Sequence, residues 1–247
     1  MKRTARRLAC LLPLSFAVLT TAGGTLAQEP SPAAPAPPAI AGVKAPQPTV
    51  PEAFTIEGEF VRVAYNNEGY VTLGYRIANG SVGEEWMYLQ TGLTLRHGVK
   101  SQSIPREAFS VKTPDGKVIP LATQKDYSNA FGLPALNARA RVQRDSLNYF
   151  PPGVTSAGAF QFFADMGKVG SLSFDQVEVN DNRAAFGRLF FKIPGGIQTG
   201  QHWLVVKFAG SEVQVPFRIL TKEEEKQFRK SWEEIKKAFD EAQGLGK

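Results

Sequence analysis

Apolar and polar residues alternate most cleanly over residues 201–220. Leu204, Val206 and Phe208 interleave with Trp203, Val205 and Lys207, and beyond Gly210-Ser211 the residues Val213, Val215, Phe217 and Ile219 interleave with Gln214, Pro216 and Arg218. A period of two puts one set on a buried face, and a Gly-Ser pair between two such runs predicts a β-hairpin. Pro216 has no amide hydrogen to donate, which places the second strand at a sheet edge. Two strands do not stand alone in water, so the hairpin needs the strands predicted upstream.

Those strands begin near Phe54. Ile56, Gly58 and Phe60 fall on one face and Val61, Val63 and Tyr65 on the other, a one-residue phase slip that reads as a β-bulge. After a turn at residues 66–69, Val71, Leu73, Tyr75 and Ile77 alternate with polar neighbours. Asn79-Gly80 signals another turn, and Met87, Leu89, Leu93 and Leu95 share the next face. Phe109 and Val111 lead into Thr113-Pro114-Asp115-Gly116, a turn with Pro, Asp and Gly at suitable positions. Strand signals resume at 159–163, Leu172/Phe174, Val177/Val179 and 184–193. About ten short strands separated by turns predict an all-β fold, an antiparallel sandwich over residues 53–220.

Two segments depart from this rhythm. Residues 124–158 have no alternation and form an insertion, in which Pro134 starts a short helix and Leu136, Ala140, Gln143 and Leu147 share one face. Residues 221–243 carry a helical period. Thr221 and Glu224 make a capping box, Glu223 to Glu225 suit the positive end of the helix dipole, and Phe228, Trp232, Ile235, Phe239 and Ala242 form one stripe. This amphipathic stripe is expected to be an interaction surface. Its polar face is as acidic as it is basic, unlike a membrane-surface helix, and aromatics replace the Leu, Ile or Val of a coiled-coil seam. Docking on the chain's own sandwich is the preferred destination, a partner's groove the alternative.

The N-terminus changes the reading of composition. Lys2, Arg3, Arg6 and Arg7 precede an apolar run at 8–21, and Thr25-Leu26-Ala27 supplies a cleavage site, so residues 1–27 read as a secretory signal peptide cut after Ala27. This leader holds four of the 29 bases and none of the 23 acids, leaving 25 against 23, a net charge of +2 instead of +6. A near-neutral mature chain gives no reason to expect a nucleic-acid partner. Cys10, the one cysteine, leaves with the leader, and with it disulfides, thiolate metal sites and cysteine nucleophiles. Residues 28–52 are rich in Pro and Ala and read as an extended linker. No apolar run long enough to span a bilayer follows the leader. The expected location is periplasmic or secreted.

The spacing of the final hairpin, and the pattern of residues 71–81 (VTLGYRIANGS) followed by 109–122 (FSVKTPDGKVIPLA), resembles secreted bacterial immunoglobulin-like domains. The resemblance rests on strand rhythm across residues 54–220, without the Cys…Trp…Cys arrangement of antibody domains. It implies a sandwich and no particular activity.

Recognisable chemistry is sparse. His97 and His202 are the only histidines, and neither has a partner at metal-ligand spacing. There is no nucleophile elbow, P-loop or dinucleotide fingerprint, and no motif calls for a cofactor or a metal. Asn180-Asp181-Asn182 reads as a polar turn, Asn79-Gly80-Ser81 as a turn that matches a glycosylation sequon, and Glu57/Glu59 as a solvated strand face. The insertion stands apart, because Tyr127, Phe131, Arg139, Arg141, Arg144, Tyr149 and Phe150 gather the residue types that anchor recognition. The expected role is a non-enzymatic binding, adhesion or envelope-assembly module whose partner is an envelope or extracellular protein or polymer. The alternative is a hydrolase of such polymers, which needs two carboxylates about 5–10 Å apart in a concave site.

Overall fold

The computed structural model describes residues 53–165 and 168–242. The predicted leader (1–27), the linker (28–52) and residue 243 lie outside them. The chain runs β1 (Ala53–Gly58), β2 (Val61–Tyr65), β3 (Gly69–Gly74), a one-turn α1 (Arg76–Asn79), β4 (Trp86–Leu95), β5 (Gln102–Pro105), β6 (Phe109–Lys112) and β7 (Val118–Pro120). Helices α2 (Gln124–Ser128) and α3 (Leu133–Val142) follow, then β8 (Thr155–Ala159), β9 (Gln176–Val179), β10 (Arg183–Lys192), β11 (Gly200–Lys207) and β12 (Glu212–Ile219). Helices α4 (Lys222–Lys230) and α5 (Trp232–Ala242) end the described chain.

Six strands form one sheet in the order β1-β2-β3-β4-β10-β8, four form a second in the order β12-β11-β6-β7, and β5 pairs with β9. Strand β12 lies against β2 and β3, and Val71, Leu73, Leu89, Leu204, Val215 and Phe217 are fully buried in the shared core. The fold is mostly β with antiparallel sheets, but it is not all-β. Among the described residues it includes five α-helices, and β8 joins β10 in parallel. The strand order also departs from the immunoglobulin-like sandwich, which changes sheets after its second strand. Here β1 to β4 are a meander: the short connections at 59–60 and 66–68 can only join neighbours within one sheet, and β4 pairs with β3 after α1. The phase slip near Phe60 is that first turn-back, accompanied by a register shift between Ile56 and Gly58, and not a bulge in a continuous strand.

The final hairpin forms from Gly200↔Ile219 to Lys207↔Glu212. Its tip is Ala209-Gly210, one residue before the predicted pair, closed by a hydrogen bond from the Phe208 amide to the Ser211 carbonyl. Strand β12 is an edge, as Pro216 requires. Ile77, read as a strand residue, lies in α1, and Leu172 and Phe174 are exposed coil. Of residues 159–163 only Ala159 is in a strand. The expected C-terminal helix divides at Ser231 into α4 and α5; serine competes with backbone hydrogen bonding and favours helix ends over interiors. The Thr221/Glu224 capping box is present.

The insertion is a third layer on the outer face of the six-stranded sheet, and glycines in the strands make room for it. A Cβ at Gly74 would meet Leu147 Cδ2 at 3.1 Å, and one at Gly92 would meet the Phe150 ring at 2.7 Å. Tyr127 of α2 packs on Phe190 and Phe163, both at 4.9 Å. At the edge of the sheet, Phe160 sits where a Cβ on Gly187 would be, and packs on Phe162 at 5.0 Å.

His202 is fully buried in β11, its ring stacked on Phe217 at 5.3 Å, its Nδ1 3.1 Å from the Gly200 carbonyl and its Nε2 without a partner. Burial pushes its pKa from 6.5 down to about 4. The folded state therefore resists the charged form, so the histidine's contribution is present above pH 6.5 and is lost as the pH falls towards 4. At about 1.4 kcal/mol per unit, the loss is about 3–4 kcal/mol. Replacing His202 with Gln, which cannot take up the proton, is expected to flatten the fall of the urea midpoint across that window. An unchanged slope would assign acid sensitivity to other groups.

Candidate functional site

Between the outer face of β4/β10 and the insertion lies a cleft of about 540 Å³. Its floor is Tyr88 and Gln90 of β4 with Phe186 and Arg188 of β10, side by side because Arg188 pairs with Gln90 in register. One wall carries Arg141, in the last turn of α3, then Arg144, Asp145, Leu147 and Asn148. The other carries Phe160, Gln161 and Asp165. Leu147 seated at Gly74 holds the first wall against the outer face, and the Phe160 ring, seated at Gly187 on the inner face near Phe109, anchors the second. Ser171 Oγ accepts hydrogen bonds from the Gln161 side chain at 3.0 Å and the Asp165 amide at 2.7 Å, closing the second wall on itself.

The charges of the cleft divide into two groups. Asp165 accepts a 2.6 Å hydrogen bond from Arg188, which holds its carboxyl below the usual range, with Lys168 and Arg141 adding to the effect. Asp145 accepts a 2.8 Å bond from Arg76, which also reaches Glu59 at 3.2 Å and lies over the Phe60 ring. Arg141 and Arg144 are exposed and make no hydrogen bond or ion pair among the described residues. The cleft therefore offers two uncommitted guanidinium groups beside apolar surface, and two carboxylates already held by arginine.

The structure disperses the candidate residues. Only Arg141 and Arg144 reach this cleft. Tyr127 is buried, with its hydroxyl accepting from Asn137 Nδ2 at 3.2 Å, so it is a core residue. Arg139 forks onto Glu84 at 2.9 and 2.6 Å, and with the fully exposed Phe131 it lines a separate hollow of about 760 Å³. There the cations are already neutralised, since Lys192 lies 3.4 Å from Glu85. Tyr149 is half-buried outside the cleft lining, and Phe150 stacks edgewise on Phe186 at 5.5 Å. In the C-terminal helices Phe228, Ile235 and Phe239 are buried and α5 packs on β1; Trp232 is half-buried against Phe228 at 5.3 Å. That stripe is turned onto the chain's own β1 and Phe60.

The remaining polar features are also committed. Asn79 of the sequon is buried, donating to Glu225 and accepting from the Leu220 amide at 2.7 Å. Asn180 Oδ1 accepts from the amides of Asn182 and Arg183, and Asp181 caps the Gly98 amide, a polar turn. Glu57 and Glu59 do not share a solvated strand face. Glu59 is in a turn and paired with Arg76, while Glu57 accepts from Thr55 at 2.8 Å. The buried Arg62 donates to the carbonyls of Gly58, Glu59 and Val61, and Arg106 to those of Phe162 and Ala122, so both brace backbone. No group of three potential metal-binding side chains gathers among the described residues.

Asp165, Phe186 and Arg188 did not stand out in the sequence. Glycine inside a strand run, as at Gly74, Gly92 and Gly187, is the signal that points towards them, because it marks close approach by another segment. Comparison with protein-family models, curated proteins and solved structures finds no match to this chain.

Proposed function

We propose that the chain is a periplasmic or secreted, non-enzymatic binding module that takes an anionic ligand in the cleft between β4/β10 and the insertion. The observation that carries this reading is the pair Arg141 and Arg144, uncommitted at the wall of a cleft lined by Phe160 and Phe186. Guanidinium groups are weakly hydrated and present a planar fork that matches a carboxylate or phosphate, so two of them engaged in no ion pair or hydrogen bond among the described residues favour an external anion. Hydrolysis is the weaker reading. A general acid needs a raised pKa, whereas the hydrogen bond from Arg188 holds Asp165 below its usual range, and Asp145 is engaged by Arg76.

Protein recovered from the exported fraction of an expressing cell, shown by intact mass to begin at Gln28, tests both halves of the proposal. The double variant Arg141→Ala/Arg144→Ala is expected to bind anionic polymers at least tenfold more weakly, with an unchanged melting temperature. Lys222→Ala/Lys226→Ala removes the same charge from an exposed stretch of α4 and should bind like the parent. Equal losses in the two variants would reduce the effect to net charge, and a chain retaining residues 1–27 would remove the location.

A further inference from the structure

Resting on that reading, we infer that the ligand is a carboxylated saccharide, a stretch of uronate-type residues, and not a phosphate or an acidic peptide. Three features of the cleft select it. The first is charge. Three arginines against two aspartates give the lining a net of +1, which suits singly charged units. The helix end at the cleft is the C-terminus of α3, at Val142, where unsatisfied carbonyls place partial negative charge. Phosphate sites use the opposite end, with amides pointing at the anion, and a dianion here would face Asp145 and Asp165.

The second feature is the polar complement. Asp145 and Asp165 each have acceptor capacity beyond their arginine bond, and Gln90 and Asn148 add carboxamides that both donate and accept. A surface that mixes acceptors and two-way groups around apolar rings matches a ring bearing several hydroxyls on an apolar face. It would leave most of these groups unpaired against a phosphate.

The third is the backbone. Peptides that bind sheets add a strand to an unpaired edge. The floor of the cleft is β4 and β10, with β4 between β3 and β10, and β10 between β4 and β8. β4 has no open edge there and β10 has none as far as Phe186, so recognition comes mainly from side chains.

The test is titration calorimetry with the full exported chain against short oligomers of galacturonate, glucuronate and mannuronate. Methyl-esterified galacturonate, inorganic tripolyphosphate and triglutamate are the comparators. At least one uronate oligomer is expected to bind tenfold or more tightly than all three comparators, and to lose that binding in Arg141→Ala/Arg144→Ala. If tripolyphosphate or triglutamate binds best and depends on the two arginines, the saccharide assignment is overturned while the anion-binding site stands. If the methyl ester binds as well as the acid, or if no probe binds, both fall.

Discussion

Cutting the chain after Leu220 is expected to leave a protein that melts at a markedly lower temperature and scatters light as it self-associates. Phe228, Ile235 and Phe239 are each at most 4% exposed, and Phe228 packs on Phe60 at 6.2 Å. Truncating one buried Phe or Ile to Ala costs about 2–5 kcal/mol, against a total stability of about 5–15 kcal/mol for a domain. Ordering two helices costs entropy, so the net loss is below the sum of the side chains. Polar contacts fall with the helices. Asn79 loses Glu225, and Arg218 loses its 2.6 Å partner Glu224. The apolar surface left around Phe60 and β1 is the reason to expect association. Phe239→Ala in the complete chain separates the two contributions, since it removes packing and leaves the polar contacts. A truncated chain that unfolds with the parent would show that α4 and α5 do not stabilise the sheets.

The second large effect is expected at Gly187. A Cβ there would sit 2.1 Å from ring atoms of Phe160, far inside contact distance, and overpacking of this kind costs about 1–3 kcal/mol. The ring cannot yield without moving its wall, because the Phe160 amide donates to the Phe186 carbonyl at 2.7 Å. Gly187→Val should therefore lower stability and abolish ligand capture together, whereas Gly158→Ala in neighbouring β8, where a Cβ meets nothing within 4 Å, should be nearly neutral. Combining Gly187→Val with Phe160→Ala is expected to be less damaging than the sum of the two, since the clash and its partner are removed together. Strict additivity would mean that the ring is not what Gly187 accommodates.

Much of the scaffold is legible from the chain alone, because the signals are local. Alternation over residues 201–220 requires a strand pair, the missing amide of Pro216 requires an edge, and Thr221 with Glu224 starts a helix whatever lies around it. The 4-3-4-3 stripe of Phe228, Trp232, Ile235 and Phe239 likewise requires a covered face, though not which surface covers it. The site belongs to the other class. Arg139, Arg141 and Arg144 are the same residue type within six positions, yet the fold gives the first to Glu84 and leaves the other two free at the cleft. Tyr127 and Tyr149 were equal candidates until Phe163 and Phe190 enclosed the first. Side-chain type and spacing set which faces exist. Only long-range packing, through the room that Gly74 and Gly92 leave, decides which outer face is covered and where its charges stay unpaired.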